Sequence, residues 1–307
     1  MQDSFQNHTS SPSDSTAMIR PQATAADVMV QQANCDEQLI GLWLHGKSPH
    51  TQRRYQYSVQ RLRQFVDKPL HRITLGELQG FSNSLADTLS DASRNRVLSA
   101  VKSLMAFGHR IGYLRFDVGR VLRLPNHRDD LSQRILNESE VKRIIALEPQ
   151  RRNRIMLMLA YAAGLRVSEV CSLRWRDLQS RRSGGQATIF GKGGKTRVVL
   201  LPTSVWREVI SLRGNETSDC TPVFPSRRGG HLRQPQVWRI VRAATRRVGI
   251  EKAVSPHWLR HAHASHALDH GAGIHLVQTT LGHSSVATTG RYLHARPNES
   301  SSSYLGL

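Results

Sequence analysis

Cysteine is scarce in this chain. The three present in 307 residues, Cys35, Cys171 and Cys220, are too few and too scattered for a disulfide framework or a zinc ribbon. A reducing cytoplasm is the expected setting. Long apolar runs are missing too. The longest, IMLMLAYAAGL from Ile155, stops at Arg166 after 11 residues, whereas a membrane-spanning helix needs roughly 20. The opening MQDSFQNHTSSPSDSTAM is polar and lacks the apolar core of a secretory leader, so neither a leader nor a span is expected. Negative charge is also in short supply: 23 acidic residues face 43 lysines and arginines, a formal net charge of +20. Such a surplus repels itself in a compact state unless a polyanion relieves it, and nucleic acid is the commonest such partner.

The length exceeds the roughly 100–200 residues of one domain, so two are expected. Residues 1–33 are rich in Ser, Gln, Thr and Ala without periodicity and predict a disordered tail. From residue 34 the pattern is helical. A short helix lies near Leu39–Leu44, and Ser48-Pro49 opens the next, with Tyr55, Val59, Leu62 and Val66 on one face. Thr74 and Glu77 form a capping box, and Asp91 opens a further helix carrying Val97, Val101, Leu104 and Met105. About four helices therefore make a bundle over residues 34–121. Its arginines Arg53, Arg54, Arg61, Arg63, Arg94 and Arg96 are candidate DNA-backbone contacts. Residues 122–136 are charged, contain proline, lack periodicity and read as a linker. Asn137 and Glu140 make a second capping box that opens a mixed, mostly helical domain over residues 137–295. Within it ATIF, GKGGK and TRVVLL read as strand, turn, strand, with helices at Gln236–Val248 and Pro256–Asp269. Residues 296–307 form a C-terminal tail.

The stretch HWLRHAHASHALDH, residues 257–270, holds five histidines. His257 and His261, like His266 and His270, have the i, i+4 spacing of metal ligands on a helix. Trp258 stands where a zinc protease needs its glutamate, and Arg260 on the same turn repels a cation, so no metal is expected. An anion fits better. Ser255-Pro256 starts a helix, which puts His257 and Arg260 near its positive end, and arginine offers a bidentate fork for phosphate. His263, His266 and His270 read as a solvated face.

Other groups suit the same phosphate. Arg166 lies between an apolar helix ended by Gly164 and a new helix begun near Ser168. Lys192 occupies a glycine-rich hairpin turn. That turn is no Walker loop, because neither Ser/Thr nor a helix follows. In LGHSSVATTGRYLH, His283 follows Gly282, Ser284 can cap a short helix, and that helix presents Tyr292. A tyrosine of pKa about 10 is a weak nucleophile unless a basic pocket stabilises its phenolate.

Taken in order, Arg166, Lys192, His257-x-x-Arg260, Leu-Gly-His283 and Thr288-Thr289-x-x-Tyr292 resemble the motifs of the tyrosine recombinase, or phage integrase, family, and its Xer-type members in particular. The resemblance spans residues 34 to 295. It implies a SAM-like helical core-binding domain followed by an α+β, mostly helical catalytic domain with a small antiparallel sheet, the DNA breaking-rejoining fold. It further implies that Tyr292 attacks the scissile phosphate to give a 3′-phosphotyrosine, and that Arg166 and Arg260 hold the non-bridging oxygens. Lys192 would protonate the departing 5′ oxygen, His257 would assist proton transfer, His283 would hydrogen-bond the phosphate, and Glu169 would orient the first arginine. Lys195 is the alternative lysine, and His263 departs from the aromatic or aliphatic residue usual there. The implied partner is double-stranded DNA carrying recombination sites, bound by a tetramer of this chain, alone or with a related recombinase. The tail, with Tyr304, Leu305 and Leu307, would dock on a neighbouring protomer. No cofactor is implied, since the phosphotyrosine conserves the energy of the broken diester. Other classes compatible with the charge are a non-enzymatic DNA-binding protein and a type IB topoisomerase-like nicking enzyme.

Overall fold

The computed structural model describes residues 32–125, 131–191 and 194–295. The chain forms two compact units, Met1–Arg128 and Asp129–Leu307, whose boundary falls inside the 122–136 stretch. Residues 1–31, which make up most of the tail expected to be disordered, and 296–307 lie outside the described residues. Ala33, placed in that tail by composition, is buried in the first core.

The first unit is helical: α1 Asp36–Leu44, α2 Pro49–Val66, α3 Leu75–Ser84, α4 Asp91–Arg110 and the short α5 Val118–Val121. Local chemistry sets its helix starts. Ser48 Oγ accepts from the Thr51 amide at 3.3 Å with Pro49 at the first helical position. Thr74 and Glu77 cap one another reciprocally at 2.9 and 3.4 Å. Leu39, Leu62, Leu78, Phe81, Leu98 and Leu104 close the core, each at most 1% exposed. The Asp36 carboxylate accepts from Tyr113 Oη at 2.6 Å and from the Leu70 amide at 3.0 Å, tying α1 to the ends of the neighbouring segments.

The six arginines read as DNA contacts do not form one face. Arg54 and Arg61, seven residues apart, share a flank of α2, while helical periodicity puts Arg63 on the opposite flank, where it pairs with Glu37 at 2.9 Å. Arg94 is half-buried and donates to Ser82 Oγ. Arg53, Arg54 and Arg96 are exposed.

The second unit comprises α6 Glu138–Ala146, α7 Arg151–Ala162, α8 Val167–Ser172, strands β1 Leu178–Arg181, β2 Gly184–Phe190 and β3 Thr196–Leu201, then α9 Thr203–Ile210, α10 Gln234–Arg247, α11 Pro256–Asp269, α12 Ile274–Leu281 and α13 Val286–Ala295. The strands form an antiparallel sheet in the order β1-β2-β3, with Leu178 opposite Ala187 and Ala187 opposite Val199. Periodicity finds β2 and β3 but not β1, because Leu-Gln-Ser-Arg has one apolar residue and no alternation. Helix α7 buries Ile155, Met156, Leu157 and Leu159 and packs against α6, α9 and α11, which is why its sequence is apolar nearly all round.

Part of the stretch read as linker belongs to this unit. Leu136 joins its main core, and Leu131 and Ile135 pack in a smaller cluster with Ala264, Val277, Leu281 and Tyr292. Absence of periodicity over so few residues hid three buried side chains.

Candidate active site

Helix α7 ends in a turn at Gly164, whose φ is +59°. A Cβ there would lie 2.6 Å from Leu281 Cδ2 and 2.8 Å from His263 Cδ2, so only glycine fits. The turn delivers Arg166 to the start of α8. Glu169, buried at 4% exposure, accepts from the Arg166 amide at 2.8 Å and from Arg166 Nη1 at 2.9 Å. Its two oxygens also take both terminal nitrogens of Arg197 on β3, each at 2.8 Å. Burial works against the Glu169 charge, but the paired guanidinium groups of Arg197 and Arg166 outweigh it and hold the carboxyl below its ordinary value.

The end of α12 completes this frame. Its last turn presents three successive carbonyls to three arginines: Thr280 O to Arg197 Nε at 2.7 Å, Leu281 O to Arg260 Nη2 at 2.6 Å, and Gly282 O to Arg166 Nη2 at 3.1 Å. Gly282, at φ +64°, turns the chain there. Helix C-terminal carbonyls carry partial negative charge and need donors, so the arginines satisfy them as they are positioned. Arg260 also donates to Gly164 O at 2.7 Å. Buried at 4% exposure, it has a pKa lowered to about 10, first by desolvation and then by Arg166, and stays charged at neutral pH. Three guanidiniums against one carboxylate make a cradle of net positive charge, with N–H donors to spare for an anion.

Histidines and the tyrosine lie beside the cradle. Tyr292 on α13 is 5% exposed, and its Oη is 2.7 Å from His261 Nδ1 on α11. His283 stacks on the Tyr292 ring at 6.4 Å, and its Nδ1 shares a hydrogen bond with buried Thr289 Oγ1 at 2.9 Å. His257 is exposed, and partial desolvation with the Arg260 and Arg166 charges lowers its pKa. Burial likewise pushes His261, His263 and His283 down to about 4.

The structure thus brings together Arg166, Glu169, His257, Arg260, His283 and Tyr292 from three helices, α8, α11 and α13, and the turn after α12. Lys192 lies outside the described residues; Lys195 is exposed at the base of the hairpin. Four sequence expectations need correction. The basic pocket does not lower the Tyr292 pKa: desolvation outweighs Arg260 and Arg291 and raises it. His263 and His266 are not a solvated face, since His263 packs against Gly164 and buried His266 shares a 2.9 Å hydrogen bond with Tyr161 Oη. His270 is exposed as expected and lies 2.9 Å from Glu138. The cap of α13 is Ser285, which accepts from the Ala287 amide, rather than Ser284. Among the described residues no three His, Cys, Asp or Glu side chains gather as a metal would require.

Two residues of the site escape sequence reasoning. Arg197 lies two and four positions before Val199 and Leu201 on the inward face of β3, and a cation on a buried strand face is the signal that marks it. His261 was hidden by its metal-like spacing from His257. A third feature is the outer face of α10, where Arg239, Arg242 and Arg246 are exposed around Trp238, opposite buried Val237, Val241 and Ala244.

The description "Phage integrase family" matches residues 134–299, and "Phage integrase, N-terminal SAM-like domain" matches residues 36–111. The chain belongs to the phage integrase family, as a Xer-like tyrosine recombinase. It is 32% identical to tyrosine recombinase XerD of Vibrio vulnificus (strain YJ016) over 291 residues, 89% of this chain and 94% of that one. It is 38% identical to tyrosine recombinase XerC of Xanthomonas campestris pv. campestris (strain B100) over 214 residues, 67% of this chain; the match spans 65% of that protein's length. Its fold is similar to that of a lambda integrase dimer bound to a COC′ core site, with a TM-score of 0.70 at 19% identity over 88% of this chain and 80% of that one. It is also similar to that of XerH recombinase bound to difH, with a TM-score of 0.63 at 21% identity over 85% and 81%. No described helix of the recombinase is long and apolar enough to cross a membrane.

Its buried histidines make stability depend on pH. The unfolded chain takes up protons below about 6.5, whereas folded His261, His263 and His283 resist until about 4. Their contribution is therefore complete above about pH 6.5 and is lost as pH falls toward 4. Calorimetry is expected to show a melting temperature that drops steeply between about pH 7 and pH 5, and less steeply in His263→Phe. A flat profile would contradict this.

Proposed function

We propose that the recombinase cuts and rejoins duplex DNA at specific sites through a 3′-phosphotyrosine at Tyr292. The observation that carries this is the cradle of Arg166, Arg197 and Arg260 beside the Tyr292 hydroxyl, a concentration of positive charge next to a nucleophile. Tyr292 Oη bonds to the scissile phosphorus as the P–O5′ bond breaks. Arg166 and Arg260 take the non-bridging oxygens and stabilise the charge that builds in the transition state. Glu169 and Arg197 hold Arg166 in place. His257 assists proton transfer, His283 hydrogen-bonds the phosphate, and Lys192 protonates the leaving 5′ oxygen. Religation reverses these steps, so neither ATP nor a metal is required.

Exposed Arg53, Arg54 and Arg96 on the helical unit and the α10 stripe on the catalytic unit each contact the DNA backbone. Support for strand exchange by four protomers comes from a similar fold, a lambda integrase tetramer bound to a Holliday junction. The reaction takes place in the cytoplasm. The test is incubation with a nicked suicide substrate, from which wild type should be trapped as a covalent adduct; its absence on the protein's own site would sink the assignment.

If α10 contacts phosphates, replacing Arg239, Arg242 and Arg246 by alanine should weaken binding of all sequences. It should also flatten the log-affinity against log-salt slope by about 2–3, since each phosphate contact contributes about 0.9. Titration by fluorescence anisotropy across salt concentrations measures it, and an unchanged slope would place the DNA elsewhere.

A further inference from the structure

We infer that His261 is a catalytic residue of this enzyme, the group that accepts the phenolic proton of Tyr292 as the tyrosine attacks phosphorus. The inference rests on Tyr292 being the nucleophile. Its basis is geometric. Tyr292 Oη lies 2.7 Å from His261 Nδ1, inside the range required of a general base, with Tyr292 buried and His261 half-buried. The other histidines near the tyrosine are placed for different tasks. His283 spends its Nδ1 on Thr289 and offers the phenol its ring face. His257 is exposed on the preceding turn of α11.

Protonation states agree with this assignment. Desolvation first, then the neighbouring His257 and the charges of Arg260, Arg134 and Arg291, keep the His261 imidazole neutral, so Nδ1 has a lone pair for the phenol. Tyr292, whose pKa desolvation raises further above its ordinary value near 10, is protonated in the free protein. A nucleophile held as the neutral phenol needs somewhere to send its proton, and His261 is the nitrogen in contact with it. Substrate strengthens this base. A scissile phosphate on Arg260 brings a negative charge that offsets one of the cations depressing His261, so the imidazole gains basicity when a diester occupies the cradle. In the forward step the proton moves from Oη to Nδ1, the Oη–P bond forms, the P–O5′ bond breaks and the leaving oxygen takes its proton from a separate acid. During religation the imidazolium returns the proton to the departing phenolate.

Single-turnover cleavage of the suicide substrate by wild type, His261→Asn, His261→Ala and Tyr292→Phe, followed from about pH 6 to pH 10, tests this. Asparagine keeps a polar atom near the Nδ1 position without its basicity. Both His261 variants should bind DNA normally and cleave about 10²–10⁴-fold more slowly near neutral pH. Their rates should climb about tenfold per pH unit as free phenolate becomes available, while the wild-type rate levels off. Cleavage by His261→Asn within threefold of wild type would overturn the inference. So would faster cleavage, which would make His261 a restraint on the tyrosine, or a deficit of constant size at every pH, which would make it a positioning residue. Adduct formation by Tyr292→Phe would instead overturn the choice of nucleophile, so the two failures are distinguishable.

Discussion

Replacing Tyr292 with phenylalanine is expected to leave DNA affinity intact and to reduce covalent adduct formation by at least about 10⁴-fold, the scale on which loss of a covalent nucleophile is felt. The ring sits in the small cluster formed by Leu131, Ile135, Ala264, Val277 and Leu281, and phenylalanine fills the same space. What it removes is the hydroxyl and its hydrogen bond to His261. A half-buried imidazole nitrogen left without its partner costs about 1 kcal/mol, so a small fall in melting temperature should accompany the loss of chemistry. Denaturing gels of a suicide-substrate reaction read the adduct, and anisotropy reads the binding. Loss of both together would mean that the substitution damages the DNA surface, and Tyr292 could not then be separated from structure.

Glu169→Ala is expected to produce the largest stability defect of any single substitution in the site. Glu169 is the one carboxylate among three guanidiniums, and it receives four hydrogen bonds from Arg166 and Arg197. Breaking a buried ion pair from one side strands the opposite charge, at about 3–5 kcal/mol. For a unit of this size that corresponds to a fall in melting temperature of about 10 °C. Cleavage should fall about 10²–10³-fold as well, because Arg166 loses its anchor and a misplaced transition-state donor costs on that scale. Arg197→Ala leaves Glu169 paired with Arg166 and should be milder. Equal melting temperatures for Glu169→Ala and wild type would show that the carboxylate is dispensable to the frame. Lowering the pH acts in the same direction, since the depressed Glu169 pKa contributes stability above its ordinary value near 4.5 that is lost as pH falls through the folded value.

Much of the architecture is legible in one dimension because its determinants are local. Ser48-Pro49, Thr74 with Glu77, and Asn137 with Glu140 cap helices by bonds spanning at most three residues. The alternation in TRVVLL and the glycines before it locate a hairpin. β1 is invisible for the converse reason: its four residues are a strand because β2 lies beside them, and the pairing from Leu178 to Arg181 carries no apolar signature of its own. Leu131 and Ile135 look like linker because what buries them arrives from α11, α12 and α13.

Residue types and their order alone determined that this chain carries an excess of positive charge, two helical blocks, and the string Arg166, His257, Arg260, His283, Tyr292 that marks a tyrosine recombinase. Only the tertiary structure decided which cations and histidines share a site. Arg197 joins Arg166 on Glu169 across 28 residues of sequence, and His261 meets Tyr292 across 31. Tertiary packing also decided that the tyrosine's pKa is raised rather than lowered. Local sequence dictates backbone hydrogen bonding, but burial and the distances between charges, which shift a pKa and choose a proton acceptor, exist only once α11, α12, α13 and β3 have packed together.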